Sequence, residues 1–170
     1  MITKKIVLIG DFATGKTSLI RRYVDNQFSD EYLTTIGVKI SKKHLALPQD
    51  IELQLMIWDI EGRTDVKDTN PSYIMGAHGV VIVGDISREV SLENIPIHID
   101  FVRSLVPNAP IIVALNKSDL IRNGAMVEHK VLAFKDSLYE VVDVLDTSAK
   151  DAKNVDEIFI ELSKAILEKR

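Results

Sequence analysis

The chain has 170 residues, of which 46% are hydrophobic and 27% charged, and its formal net charge is −4. This length and composition are typical of a globular protein with one core, so we expect a single domain over residues 1–170. The acidic balance and the lack of long basic segments argue against nucleic-acid binding. The chain has no cysteine, which excludes disulfides and thiolate metal sites.

The two ends of the sequence carry no targeting pattern. The first residues, MITKKIVLIG, lack the apolar segment of a secretory signal, and Ile2 excludes myristoylation. The last residues, ILEKR, offer no cysteine for prenylation. No apolar run approaches the length of a membrane span. We therefore expect a cytoplasmic protein with no direct lipid anchor in this chain, and any recruitment to a membrane would depend on partners.

Apolar runs alternate with amphipathic segments along the first third of the chain. The β-branched run that ends at Gly10 predicts a buried strand, and the helical spacing of apolar residues in 15–28 predicts a helix after it. Alternating apolar and polar residues in 36–48 and 51–60 predict two further strands. The turn sequence Pro48-Gln49-Asp50 lies between them, so we expect a β-hairpin.

The rest of the chain continues this alternation. Continuous apolar runs predict central strands in 77–87 and 109–119, and a last strand in 139–149. Helical patterns occur near Ser91 to Val106, near Ala125 to Leu138 and in 151–170. The resulting order, β-α-β-β-α-β-α-β-α-β-α, predicts an α/β fold. Its six-stranded sheet is mostly parallel with one antiparallel edge strand, and helices cover both faces. Ligands of such sheets bind outside the carboxyl ends of the strands.

The sequence GDFATGKT, from Gly10 to Thr17, matches the pattern G-x-x-x-x-G-K-[ST] between the first strand and the first helix. Glycines let backbone N–H groups surround phosphate oxygens, and the start of the helix adds a partial positive charge. Lys16 can reach the terminal phosphates, and the Thr17 hydroxyl can bind Mg²⁺. The residues predicted to bind the phosphates are Asp11, Ala13, Thr14, Gly15, Lys16, Thr17 and Ser18.

Two motifs at later strand ends favour guanine as the base. In LNKSD, the Asp119 carboxylate can accept hydrogen bonds from the ring N–H and the amine of guanine, and the Lys117 stem can cover the base. In TSAK, the Ala149 N–H can donate to the guanine carbonyl. Each motif alone also fits a structural role, as an exposed turn or as a helix N-cap. Their common location at strand ends favours nucleotide binding.

A magnesium site is predicted from three residues. Asp59 in WDIEG ends the second hairpin strand, where it can hold Mg²⁺ through water beside the Thr17 hydroxyl. Gly62 follows, and its N–H can meet a terminal phosphate. Thr35 precedes the edge strand, where its hydroxyl can complete the metal shell, although a threonine in a loop is usually only a loop residue.

Together these motifs resemble a small GTPase of the Ras superfamily, in the pattern of its Rab and Rho-like branches. The resemblance covers residues 3–168, including GAHGVVIVGDIS and the ungapped spacing from Asp59 to it. It implies a G domain that binds GTP and GDP with Mg²⁺, hydrolyses GTP and acts as a molecular switch. The resemblance implies catalytic roles for Lys16, Thr35 and Gly62. It implies base contacts for Phe28, Asn116, Lys117, Asp119, Ser148, Ala149 and Lys150.

The resemblance also implies partners. An effector, an exchange factor and an activating protein would contact residues 30–40 and 60–76, and we expect the chain to be a monomer. The four histidines share no ligand spacing, so we interpret them as structural.

The sequence departs from the family pattern around the start of the segment 60–76. The family usually has Asp-Thr-Ala-Gly-Gln, and the corresponding residues here are Asp59-Ile60-Glu61-Gly62-Arg63. In Ras, the established example of this chemistry, the glutamine positions the attacking water, and an arginine cannot replace a neutral amide. We therefore expect slow hydrolysis. Arg63 is also a candidate cis arginine, which is an arginine of the same chain that stabilises charge on the phosphate. The simpler interpretation is that its side chain is solvated.

Two further departures concern Phe12 and the segment after Arg63. Phe12 replaces a small residue and would obstruct an arginine finger, or would simply cover the nucleotide. Asn70 and Pro71 disfavour a long helix.

Two alternative functions remain open at this point. One is a hydrolysis-deficient pseudo-GTPase that acts as a GTP-bound binding module. The other is a P-loop kinase that uses ATP, against which the motifs NKSD and TSAK argue.

Overall fold

The computed structural model describes residues 1–31, 34–63, 65–138 and 140–169. These residues form six strands and six helices. In chain order the elements are β1 (Ile2–Ile9), α1 (Lys16–Asp25), β2 (Val38–Leu47), β3 (Ile51–Ile60), α2 (Pro71–Ile74), β4 (Gly79–Asp85), α3 (Glu89–Glu93), α4 (Ile95–Leu105), β5 (Ile111–Asn116), α5 (Gly124–Ser137), β6 (Val144–Asp146) and α6 (Val155–Glu168). Single 3₁₀ turns occur at Val66–Asp68 and Ser118–Leu120.

The strands form one sheet in the order β2-β3-β1-β4-β5-β6. Strand β2 lies at the edge and pairs antiparallel with β3, with Val38 opposite Ile60, and the other pairings within the sheet are parallel. The predicted six-stranded, mostly parallel sheet with one antiparallel edge strand is therefore confirmed. Because β1, β3, β4 and β5 run in the same direction, their carboxyl ends lie along one edge of the sheet.

Helices α1 and α6 cover one face of the sheet. Alternate residues of β1, such as Ile6 and Leu8, point to this face and are fully buried. The ring of Tyr23 in α1 stacks on Phe159 in α6 with 4.0 Å between centroids and 10° between planes. The hydrophobic stripe predicted for the last helix therefore packs against both the sheet and the first helix.

Helices α2 to α5 cover the opposite face. The intervening residues of β1, Val7 and Ile9, belong to this second core together with Ile95 and Val102 of α4. The central strands β4 and β5 are buried along their whole length. Burial on both faces explains their uninterrupted apolar sequences.

Two elements differ in extent or continuity from the predictions, and a third agrees with its prediction. The helix predicted near Ser91 to Val106 is divided at Asn94 into α3 and α4, because Pro96 has no N–H to donate to the preceding turn. The last strand contains only the three residues of β6, and Tyr139, where it was predicted to begin, lies outside the described residues. Helix α2 has four residues, in agreement with the expectation from Asn70 and Pro71.

None of the helices in the described ranges is long and apolar enough to cross a membrane.

Candidate functional site

The loop between β1 and α1 is closed by contacts from the end of β5. Gly15 has φ of +96°, and a Cβ atom there would lie 2.3 Å from Asn116 Nδ2, so only glycine fits. Asn116 Nδ2 donates to the Thr14 carbonyl over 3.0 Å, and Lys117 Nζ donates to the Ala13 carbonyl over 2.7 Å. The motif NKSD therefore supports the loop as well as bordering the cavity beside it.

Lys16 begins α1 and is only 6% exposed. Its Nζ donates to the carbonyls of Gly10 over 3.0 Å and Asp11 over 2.8 Å. Burial lowers the pKa of Lys16 to about 8, while the negative charges of Asp59 and Asp11 oppose this shift. A buried ammonium group at the start of a helix is well suited to bind an anion.

The three predicted metal residues lie together. Thr17 Oγ1 donates to Asp59 Oδ2 over 2.6 Å and lies 2.5 Å from Thr35 Oγ1. Thr35 Oγ1 donates to the same carboxylate oxygen over 3.2 Å. Burial raises the pKa of Asp59, against the opposing effects of the Thr17 hydrogen bond and the Lys16 charge.

These donors fit Mg²⁺. All three are oxygen atoms, which this hard cation prefers, and they supply a single carboxylate. In the part of the chain that the structure describes, Asp59 Oδ1 is buried without a hydrogen-bond partner. The described residues contain no cluster of three His, Cys, Asp or Glu side chains that would form an all-protein metal cage. Such a sparse set suits an ion that keeps water and phosphate oxygens as its other ligands.

A cavity of about 320 Å³ extends from this cluster toward the ends of β5 and β6. Its volume lies within the range of small-molecule sites. The predicted residues that line it are Ala13, Gly15, Lys16, Thr17, Ser18, Phe28, Thr35, Gly62, Asn116, Lys117, Asp119, Ala149 and Lys150. The cavity is also lined by Phe12, Ser29, Asp30, Glu31, Ile60 and Leu120, most of which adjoin predicted residues in sequence.

Two hydroxyl groups that directly follow β6 orient the polar side chains at the end of the cavity beside β5 and β6. Ser148 Oγ donates to Asp119 Oδ1 over 2.7 Å, and Thr147 Oγ1 donates to Asn116 Oδ1 over 3.0 Å. Ser148 is fully buried and orients Asp119 instead of lining the cavity. The arrangement presents a carboxylate, the Lys117 stem and the backbone at Ala149 to one planar ligand.

Two predicted phosphate-binding residues, Asp11 and Thr14, also do not line the described cavity wall. The Asp11 carboxylate instead contacts His98 Nε2 and Asn94 Nδ2, each over 2.7 Å. Sequence patterns indicated only a structural role for His98 and no role for Asn94. Asn94 and His98 are four residues apart, which places them on one helix face. This spacing is the sequence signal that could have linked the two residues to each other.

The segment after β3 is attached both to the loop and to the segment before β2. A Cβ atom at Gly62 would lie 2.8 Å from Phe12 Cα and from Lys16 Nζ, so this glycine packs directly on the loop. Glu61 N donates to the Gly37 carbonyl over 2.8 Å, and Glu61 Oε2 accepts from Gly37 N over 3.2 Å.

Arg63 points away from the large cavity. Its Nη2 donates to Glu61 Oε2 over 3.0 Å, and it borders a separate cavity of about 150 Å³ with Gly37 and Tyr73. Thr64, the next residue, lies outside the described part of the chain.

This combination of a mostly parallel sheet with a phosphate-binding loop and flanking strand-end motifs defines the class of P-loop GTPase domains. The sequence model of the Ras family matches residues 5–168. Ras-related protein RABD2a of Arabidopsis thaliana is 35% identical over 167 residues, covering 97% of this chain and 80% of that protein. GTP-binding protein ypt1 of Schizosaccharomyces pombe is 34% identical with the same coverage. Ras-related protein Rab-1C of Dictyostelium discoideum is 36% identical over 163 residues, covering 95% of this chain and 80% of that protein.

The chain belongs to the Ras family. It is therefore a GTP-binding switch protein that hydrolyses GTP. This membership excludes the P-loop kinase alternative. Proteins of this family generally act with effectors, exchange factors and activating proteins.

Proposed function

We propose that residues 1–170 form a single Mg²⁺-dependent GTP/GDP switch domain whose intrinsic hydrolysis is slow. The observation that carries the slow rate is the hydrogen bond from Arg63 to Glu61, at the position where the family pattern has the water-positioning glutamine. Three parts of the site support the proposal. They are the loop between β1 and α1, the end of the cavity beside Asp119, and the two segments that meet at Gly37 and Glu61.

In this proposal the phosphate groups occupy the cavity beside Lys16. The buried ammonium group donates to phosphate oxygens while the carbonyls of Gly10 and Asp11 continue to support it, and its position at the head of α1 adds the helix N-terminus. Gly62 packs on the loop closely enough for its N–H to meet the terminal phosphate. These groups bind and orient the phosphates.

Thr17 and Thr35 would hold Mg²⁺ directly, and Asp59 would hold it through water. The bound ion would neutralise charge on the phosphates. The Thr17 hydroxyl is fixed by α1, and Asp59 by the end of β3, so both positions are set by the sheet and the first helix. Thr35 lies in the less regular segment before β2, so its contact can form or break as the phosphates change.

The base would lie between Phe28 and the Lys117 stem. Asp119 would accept two hydrogen bonds from guanine, and its carboxylate is oriented for this by Ser148. The Ala149 N–H would donate to the guanine carbonyl. Adenine offers no matching donor pair, so selectivity for guanine follows from the hydrogen-bond pattern.

Hydrolysis needs a water molecule that is oriented beside the terminal phosphate. Arg63 has no acceptor for this purpose, and its guanidinium group is engaged by Glu61. Phe12 is 49% exposed and lines the cavity, where its side chain would obstruct an arginine supplied by an activating protein. The replacement of the glutamine by Arg63 supports slow intrinsic hydrolysis, and the position of Phe12 supports a poor response to ordinary activating proteins.

Partners would contact residues 30–40 and 60–76, of which Tyr32, Leu33 and Thr64 lie outside the described residues. Within these segments Ile36 is 86% exposed, and Ile40 and Met75 are also exposed. Apolar side chains on segments that contact the phosphates allow a partner to detect the nucleotide state.

Single-turnover hydrolysis of GTP tests the proposal. The wild-type rate should rise by about tenfold when Arg63 is replaced by Gln, because the amide restores a group that can orient water. An Arg63→Lys variant is the matched control and should stay slow. A wild-type rate equal to that of Arg63→Gln would contradict the proposal.

The second candidate is a GTP-bound binding module with almost no turnover. Glu61 favours it, because its backbone and carboxylate both contact Gly37 and hold the two nucleotide-sensing segments together through protein contacts alone. The same assay separates the candidates. Measurable conversion of GTP in the presence of Mg²⁺ supports the slow switch, whereas none over many hours supports the binding module.

A further inference from the structure

Below the phosphate-binding loop, two side chains from the start of α4 hold the carboxylate of Asp11. His98 Nε2 lies 2.7 Å from Asp11 Oδ1, and Asn94 Nδ2 donates to Asp11 Oδ2 over 2.7 Å. Asp11 is 3% exposed and His98 is 2% exposed. Both carboxylate oxygens are therefore engaged on the side of the loop that faces away from the cavity.

These contacts are strong for their type. Hydrogen bonds to a carboxylate are stronger than neutral ones, and a buried environment strengthens them further. Because a carboxylate oxygen accepts, the contact with Asp11 requires a proton on Nε2 of His98. Burial lowers the pKa of His98, opposed by the hydrogen bond and negative charge of Asp11 and reinforced by the positive charge of Lys16. His98 therefore holds Asp11 through an Nε2 proton that is present in the neutral Nε2–H tautomer and in the charged imidazole alike.

The backbone of Asp11 links these contacts to the nucleotide site. Its carbonyl accepts from Lys16 Nζ over 2.8 Å and from Thr14 Oγ1 over 3.0 Å. The same carbonyl would lie 2.9 Å from a Cβ atom at Gly62. A displacement of Asp11 would thus move the support of the phosphate-binding lysine and the surface on which Gly62 packs.

We propose that Asn94 and His98 are positioning residues for nucleotide binding, which fix the phosphate-binding loop on α4 by holding both carboxylate oxygens of Asp11. With the loop fixed in advance, the diphosphate enters a preformed site, and less ordering is required on binding. The gain in affinity appears mainly as slower nucleotide release. This inference rests on the proposed role of the loop as the phosphate site.

The test is the rate at which fluorescent GDP leaves the Mg²⁺-loaded protein after addition of excess unlabelled GDP. His98→Ala and Asn94→Ala should each release GDP at least about fivefold faster than wild type. His98→Gln should release it within about twofold of the wild-type rate, because the glutamine amide supplies an N–H donor in place of Nε2. Release from His98→Gln that is as fast as from His98→Ala would overturn the proposal.

A matched control separates positioning from general loosening of α4. Val102 lies one turn beyond His98 on the same helix, is fully buried in the apolar core and has no polar group. Val102→Ala should lower the thermal stability while leaving the release rate near that of wild type. If Val102→Ala accelerates release as much as His98→Ala at a similar loss of stability, the positioning role is wrong.

If the His98 variants do not fold, a second comparison with Asn94 tests the proposal. Asn94 is only partly buried, and its replacement by Ala leaves the apolar core intact. In an Asp11→Ala background, Asn94→Ala should not accelerate release further, because the carboxylate that it holds is already gone. Additive acceleration would overturn the proposal.

The outcomes also distinguish this proposal from the proposed function. Wild-type protein that fails to retain GDP contradicts the nucleotide site itself. Wild-type protein that retains GDP, while His98→Ala and Asn94→Ala release it at the wild-type rate, contradicts only the positioning role.

Discussion

Arg63 Nη2 donates to Glu61 Oε2 over 3.0 Å, and the same carboxylate oxygen accepts from Gly37 N in the segment before β2. The side chains of both residues are partly exposed, at 45% and 29%, so the pair itself contributes little to stability. Its effect is on orientation, since it directs the guanidinium group toward Gly37 and away from Lys16.

Replacing Arg63 by Ala should leave the single-turnover rate of GTP hydrolysis within about twofold of wild type, because the guanidinium group lies outside the nucleotide cavity. Lys67→Ala, which removes a positive charge four residues further along the same segment, is the matched control. A fall of about tenfold or more for Arg63→Ala alone would identify Arg63 as a cis arginine that stabilises charge on the phosphate.

Asp119 should determine the preference for the exocyclic amine of guanine. Wild-type protein should bind GDP more tightly than IDP, which lacks this amine, by about tenfold or more, because one acceptor position would lose its partner. Asp119→Ala should abolish the difference. Competition of both nucleotides against fluorescent GDP measures it. An Asp119→Ala variant that still prefers GDP to the same extent would show that another group selects the base.

GDP binding should take up a proton above about pH 8, because the pKa of Lys16 is lowered to about 8 without nucleotide. Phosphate oxygens favour the charged ammonium and raise this pKa, so free protein loses the proton at a lower pH than the complex does. The affinity should therefore fall as the pH rises above about 8, by up to tenfold per pH unit.

Calorimetry in two buffers of different ionisation enthalpy measures this uptake. It should approach about one proton at about pH 9 and be much smaller at about pH 7.5. An affinity that is constant between these values, with no proton uptake, would show that Lys16 stays charged in the free protein.

The Thr17 hydroxyl should determine the affinity for Mg²⁺. In the wild-type protein, rising Mg²⁺ concentration should slow GDP release. Thr17→Ala should require about tenfold more Mg²⁺ for the same effect, because one direct ligand is lost. Ser104→Ala, in which the lost hydroxyl donates to the Phe101 carbonyl, is the control. An unchanged Mg²⁺ dependence in Thr17→Ala would place the ion elsewhere.

The sheet could be predicted from sequence because its strands have distinct patterns. The buried strands β4 and β5 are continuously apolar, and the hairpin strands flank Pro48-Gln49-Asp50. The loop between β1 and α1 was equally accessible, because its backbone geometry requires a local pattern that includes Gly15. Local sequence determines both kinds of feature.

Contacts between distant side chains could not be predicted in the same way. His98 meets Asp11 across 87 positions in sequence, and only the packing of α4 against the loop brings them together. The pairing of Arg63 with Glu61 was also missed, because a charged pair in a loop has several available partners. The division of the helix at Asn94 depends on one missing N–H at Pro96, which the apolar pattern does not reveal.

The most direct measurement is the identity of the nucleotide that copurifies with the protein, followed over time in the presence of Mg²⁺. The account predicts a guanine nucleotide, with GTP that converts to GDP slowly and faster in Arg63→Gln. Protein that carries an adenine nucleotide, or that binds no guanine nucleotide when it is offered, would contradict the account.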